Sequence, residues 1–220
     1  MQNPWMRLPV HAPYVLDCDA PALAGRREGD GHVDHRVHTE VLPEPFVGTF
    51  SAPVVLLALN PGYSDADVVA HEQPAFRERS FANLNQQAME FPFYLLDPAL
   101  DCPGRQWWER KLAALLREVS REVVARRIQC IEYFGYHSRR FAQRRQPCES
   151  QRYAFHLVRR AMMRGAMVVV MRGARQWFEA VPRLREYERL VVLRNPQNPA
   201  VTERNCGGDY ARIVACLRAS

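Results

Sequence analysis

The sequence predicts an α/β protein in three layers, with helices on both faces of a central, mainly parallel four-stranded sheet. Two observations carry this. Short apolar runs alternate with stretches of helical periodicity, the pattern of βαβ units. The clearest run also lacks the in–out alternation of a half-exposed strand, as expected where both faces are covered. The 220 residues, 47% hydrophobic and 25% charged, suffice for one sizeable core. A single domain over 1–220 is therefore expected, with residues 1–50 as an irregular extension packed on it.

Each element follows from local pattern. Residues 32–41 alternate, with Val33, His35, Val37, Thr39 and Val41 on one side, which suggests a strand. Pro53 opens an unbroken apolar run over 54–59, and Asn60-Pro61-Gly62 stops it. Residues 63–104 read as a long irregular stretch rich in aromatics. Residues 107–124 read as one helix, because Trp108, Leu112, Leu115, Leu116 and Val119 recur at three- and four-residue steps. A strand at 127–134 and an amphipathic helix at 149–164 follow. The last elements are a strand at 166–171 ending at Gly173, a short helix at 175–180, a strand at 190–194 stopped by Asn195-Pro196, and a helix at 208–218.

In an open α/β sheet, ligands bind beyond the carboxyl ends of the strands. Three of the predicted strands end there in polar or glycine-proline turns: Asn60-Pro61-Gly62, Gly135-Tyr136-His137-Ser138 and Asn195-Pro196-Gln197-Asn198. These turns are expected to converge on one site.

Charge narrows the partners. The net charge is +6, and of the 30 basic residues a single one, Lys111, is lysine. A GC-rich genome accounts for arginine in place of lysine; a polyanion partner accounts for it equally well, since the guanidinium fork matches phosphate oxygens. Arg139, Arg140, Arg144 and Arg145 cluster around Phe141, as in a patch facing a nucleic-acid backbone; a solvated face is the alternative. No apolar run approaches membrane-spanning length, and residues 1–10 lack the form of a secretory signal. A cytoplasmic location is expected, without disulfides. His32, His35 and His38 do not share one side of a strand, so no metal is expected there.

A buried strand ending in Asn60-Pro61-Gly62 and a last strand ending in Asn195-Pro196-Gln197 resemble the two signature motifs of the uracil-DNA glycosylase superfamily. The mismatch-specific branch reads G-I-N-P-G at the first, where this chain has Ala58-Leu59-Asn60-Pro61-Gly62. The second is H-P-S or N-P-S, and Gln197 stands in place of the serine. The resemblance spans roughly residues 45–218 in element order.

It implies a monofunctional bacterial DNA glycosylase acting as a monomer on a base flipped from DNA. Asn60 would position the attacking water, and Asn195 would lie beside the sugar and departing base. Pro61, Gly62 and Tyr63 would line the site, and Gln197 would replace the phosphate-touching serine. Phe81 is the first choice for the aromatic that stacks on the base, with Phe76 second. Glu132, at the end of the second predicted core strand, would read the base edge, favouring one rich in donors. His137, Ser138, Arg139, Arg140, Arg144 and Arg145 would contact DNA.

No cofactor is expected. Some branches of the superfamily carry an iron–sulfur cluster, but no C-x-x-C pair is present. Lys111 lies far in sequence from both motifs, which argues against Schiff-base chemistry. Two alternatives stand beside this reading. One is an inactive protein of the same fold that binds DNA, a nucleotide or a protein. The other is an unrelated phosphate-handling enzyme, for which no Walker or dinucleotide motif is present.

Overall fold

The computed structural model describes residues 1–24, 33–143 and 146–219. Its sheet has 5 strands: β1 Phe46–Val47, β2 Val54–Ala58, β3 Ile128–Glu132, β4 Met167–Val170 and β5 Leu190–Val192. Their spatial order is β1-β3-β2-β4-β5. β2 pairs in parallel with β3 and β4, β4 pairs in parallel with β5, and β1 runs antiparallel to β3. The sheet is thus mixed and five-stranded, not the four-stranded sheet the sequence suggested. The extra strand spans two residues, too short to show a period. It passes close to β3 because Gly48 adopts φ +103°; a Cβ there would sit 2.5 Å from the Ile128 carbonyl oxygen.

The helices are α1 Ala20–Ala24, α2 Asp65–Glu72, α3 Pro74–Leu84, α4 Pro103–Leu112, α5 Leu115–Glu118, α6 Arg121–Arg127, α7 Gln151–Met163, α8 Ala174–Ala180, α9 Glu203–Cys206 and α10 Tyr210–Arg218. Apolar side chains cover both faces of the sheet. Val54, Leu56 and Ala58 join Phe76, Leu112, Val124 and Ile213 on one face. Val55 and Leu57 join Leu157, Val158 and Trp177 on the other. Double burial explains why β2 reads as a continuous apolar run. Trp5, Leu8, Tyr14, Leu16 and Leu42 pack into the second face, so the first 50 residues contribute to the core.

Three expectations are corrected. Of the strand expected over 32–41, residue 32 lies outside the described residues and 33–41 are not a strand: Val33–His35 form a 3-10 turn, and His38 makes one isolated bridge to His137. Val33 is 76% exposed, so the alternating residues share no buried face. The stretch 63–104 is not irregular throughout, because it contains α2 and α3. Ser64 gives its backbone N–H and hydroxyl to Asp67, a capping-box arrangement that starts α2, and Pro74 opens α3. The single helix over 107–124 is instead α4, α5 and α6. Ser120 breaks it by accepting the Val123 N–H as the N-cap of α6. Among the described residues, no helix is long and apolar enough to cross a membrane.

Candidate functional site

Topology places the site. The chain leaves β2 toward β3 on one side, while β4 leads to β5 on the other. The carboxyl ends of β2 and β4 therefore flank a crevice at the point where the winding reverses. Gly173, at φ +68°, turns the chain from β4 into α8 beside Leu59, where a Cβ would collide with the leucine side chain. A cavity of about 290 Å³ opens here, on the sheet face covered by α2, α3 and α4.

Its floor is polar. Glu132, from the end of β3, and Glu44, just before β1, are both buried. Tyr94 donates its hydroxyl hydrogen to Glu44 Oε1 at 2.9 Å. Glu132 Oε1 receives only the weak Cys130 thiol, at 3.8 Å, and Oε2 has no partner. Burial pushes both carboxyls up to about 8, with Asp67 adding to the shift of Glu44 and Glu44 adding to that of Glu132. Both are therefore largely protonated at neutral pH.

Two imidazoles adjoin them, with ring centroids 5.1 Å apart. His71 Nδ1 accepts the Leu42 N–H at 3.0 Å, so the neutral ring carries its proton on Nε2. His137 Nδ1 lies 2.6 Å from the Gly62 carbonyl oxygen, which can only accept. That ring holds its proton on Nδ1, and Nε2 has no partner. Burial lowers the pKa of both rings, which favours their neutral forms.

Glu44, His71 and His137 offer donor atoms within 4.8 Å of one another, a spacing that suits a metal ion. The hydrogen bonds do not fit that use. With Leu42 N–H on Nδ1, His71 could ligate through Nε2 only as an imidazolate. Two members of the trio can serve as ligands unaided; the third presents an N–H. In the sequence His32, His35 and His38 were weighed as metal ligands, and no metal was expected there. His32 lies outside the described residues, and His38 bonds Glu40.

The walls are aromatic, from Phe76, Trp107 and Trp108. The mouth is cationic. Arg110 is exposed at its edge, Arg172 lines it, and Lys111 is near enough that both depress its pKa after burial has done so. None of the three forms an ion pair among the described residues.

Asn60 stands at the cavity edge. Its Nδ2 donates to Pro61 O at 2.8 Å, Ser138 O at 3.1 Å and Ser138 Oγ at 3.0 Å. Its Oδ1 has no partner among the described residues and remains free to accept. Trp177 Nε1–H on the Ala58 carbonyl, at 2.9 Å, holds the preceding strand end.

The other predicted site residues divide. Pro61, Gly62, Tyr63, Glu132 and His137 line the cavity with Asn60. Of the two candidate stacking residues, Phe76 lines it, whereas Phe81 packs against the opposite core near Arg77. Ser138 is buried and bonded to Asn60, so it and His137 face the interior, not solvent. Arg139 pairs with Asp65 and lies over the Tyr63 ring, and Arg140 pairs with Asp34. Arg144 and Arg145 lie outside the described residues.

Asn195 and Gln197 do not reach the cavity; both are exposed. Asn195 Oδ1 accepts the N–H groups of Gln197 and Asn198, closing its own turn. Arg172 links this turn to the mouth through the Pro196 and Gln197 carbonyls. Sequence reasoning missed Glu44, His71, Trp107, Trp108 and Arg172 as cavity residues. They sit on elements that only the fold brings to β2.

No protein-family model, curated protein or solved structure matches the chain.

Proposed function

We propose that the protein is a DNA glycosylase-like hydrolase that takes a flipped-out nucleotide into the cavity and cleaves its N-glycosidic bond. The observation that carries this reading is the layering of the cavity. Cations stand at the mouth, aromatic rings form the walls, and hydrogen-bonding groups form the floor. A flipped nucleotide presents the same order, with phosphate outside, sugar between and base within. The cavity is near the size usual for small-molecule sites.

Asn60 supplies the hydrolytic part. Three acceptors hold its NH₂ group, so its oxygen is directed away from them and can orient a water at the anomeric carbon. An amide does not deprotonate water appreciably, so the chemistry is expected to be slow. Protonated Glu44 and Glu132 and the His71 N–H can stabilise charge on the leaving base.

A second reading has its own support. Asn195 faces solvent, which favours a protein that binds a nucleotide without cleaving it. Incubation with duplexes and single strands carrying a panel of damaged bases, scored for abasic sites, separates the two. Abasic product that disappears in Asn60→Ala supports the hydrolase. Salt-dependent binding without product supports the binding protein.

A further inference from the structure

The cavity is charged in opposite senses at its two ends. At the floor, three carboxyl groups line one space: Glu44, Asp67 and Glu132. Among the described residues none of them forms an ion pair. Asp67 is held by the Ser64 N–H and hydroxyl, and Glu44 by the Tyr94 hydroxyl. Glu132 is 8% exposed and its Oε2 is unpartnered. His137, 3% exposed, leaves Nε2 unpartnered in the same cavity. Arg172, whose charge acts on Glu132, directs its guanidinium to the Pro196 and Gln197 carbonyls. The mouth, with Arg110, Lys111 and Arg172, is positive, and none of the three forms an ion pair among the described residues.

The complement of this pattern is a ligand that is negative outside and positive inside. From the unpartnered Glu132 oxygen, the unpaired carboxyls beside it and the three aromatic walls, we infer that the floor takes a positively charged flat heterocycle, such as an N-alkylated purine base still joined to its phosphate. Aromatic faces attract such a cation, and a carboxylate accepts its N–H edge. A neutral base can share the hydrogen bond but gains neither the cation's attraction to the rings nor the charge assistance. The inference rests on the functional reading above, of which it specifies the substrate class.

The groups facing the bound ring are Glu44, Asp67, Glu132, His71, His137 and, toward the mouth, Arg172. Burial favours neutral histidines and protonated glutamic acids, so entry of a cation is expected to convert a carboxyl to carboxylate and release one proton to the buffer. Both charges are then paired inside the cavity.

The test needs no catalysis. An adeninium ring methylated on both imidazole nitrogens is a fixed cation with no glycosidic bond. Its neutral parent carries one of the two methyl groups. Calorimetric titration of the full-length protein with each, at neutral pH in two buffers of different ionisation heat, reads affinity and proton release together. The cation is expected to bind at least about tenfold tighter and to release a proton. Glu132→Gln and, independently, Glu44→Gln are expected to shrink the preference and the proton release while circular dichroism stays unchanged.

Equal or tighter binding of the neutral parent overturns the inference. So does stoichiometric binding of zinc chloride alone that blocks the cation and is lost in His137→Ala. Abasic-site formation on damaged duplexes without a preference for the cation sinks this inference and leaves the hydrolase reading standing. A cation preference with no abasic product on any duplex does the reverse.

Discussion

Two asparagine-proline turns close two parallel strands of one sheet, and their asparagines work in opposite ways. Asn60 gives away its NH₂ group and keeps its oxygen free at the cavity. Asn195 commits its oxygen to two backbone N–H groups and lies in solvent. The same dipeptide serves one turn as the edge of a site and the other as a self-contained cap. Topology accounts for the difference. The first turn follows β2, at the centre of the sheet beside the reversal of winding; the second follows β5, at the sheet edge.

The largest expected consequence is catalytic. Asn60→Ala should lower base release by about 10²–10³-fold, the usual cost of losing one preorganised polar group at a reacting centre. Asn195→Ala should change it less than about threefold. Single-turnover rates on the best duplex of the panel give both numbers, and equal losses at the two positions break the comparison.

The inner turn borders titrating groups that the outer turn lacks. Glu44 and Glu132 have folded values of about 8 against an ordinary 4.5. Between those values the folded state binds more protons than the unfolded one, so their contribution to stability is fully present below about 4.5 and is lost as pH rises through about 8. His71 and His137 act oppositely, because their values are lowered; stability from them is lost as pH falls below the ordinary 6.5. Melting temperatures measured on the alkaline side should decline less in Glu132→Gln than in the parent chain. A parallel decline would show that Glu132 is not the titrating group.

Exchange of amide for carboxylate sharpens the contrast at a smaller scale. Asn60→Asp removes the amide donor that Pro61 O, Ser138 O and Ser138 Oγ share, and leaves carboxylate and carbonyl oxygens facing each other. A loss of about 1–3 kcal/mol is expected. Asn195→Asp keeps the acceptor its turn uses and should stay within about 0.5 kcal/mol. Urea denaturation at neutral pH measures both, and equal losses would contradict the assigned hydrogen-bond directions. Smallest is the effect of the tether between the turns. Arg172→Ala should weaken binding to duplex DNA a few-fold and reduce the slope of log affinity against log salt by about 1. An unchanged slope places the phosphate elsewhere.

The inner turn was legible in the sequence because its signal is local. An apolar run that stops at Asn60-Pro61-Gly62 marks both the central strand and the side of the sheet where the cavity opens. Glu132 came from the resemblance, which looks to the end residue of the neighbouring strand. The rest of the floor was not legible. Glu44 precedes a strand of two residues, and His71 sits on a helix whose capping signal, Ser64 to Asp67, was present but passed over. Phe76 and Phe81 lie five positions apart on α3, and only packing decides which one meets the cavity. Asn195 was expected at the site because it matches the second motif of the resembled superfamily, and it lies outside the cavity. The sequence shows the turn and not where β5 stands in the sheet.

Trp107 gives the mouth a built-in optical reporter. The chain has 4 tryptophans. Trp5, Trp108 and Trp177 are 2%, 5% and 0% exposed. Trp107 alone is half-buried, with the Lys111 ammonium 5.5 Å and the Arg172 guanidinium 6.0 Å from its ring centroid. Its emission is therefore the share that a quencher in solution can reach. The flanking cations draw iodide in and keep caesium out, so the ratio of the two quenching constants reads the local potential at the entrance. Any anion that settles there competes with iodide for the same ring, and its arrival is visible without a label.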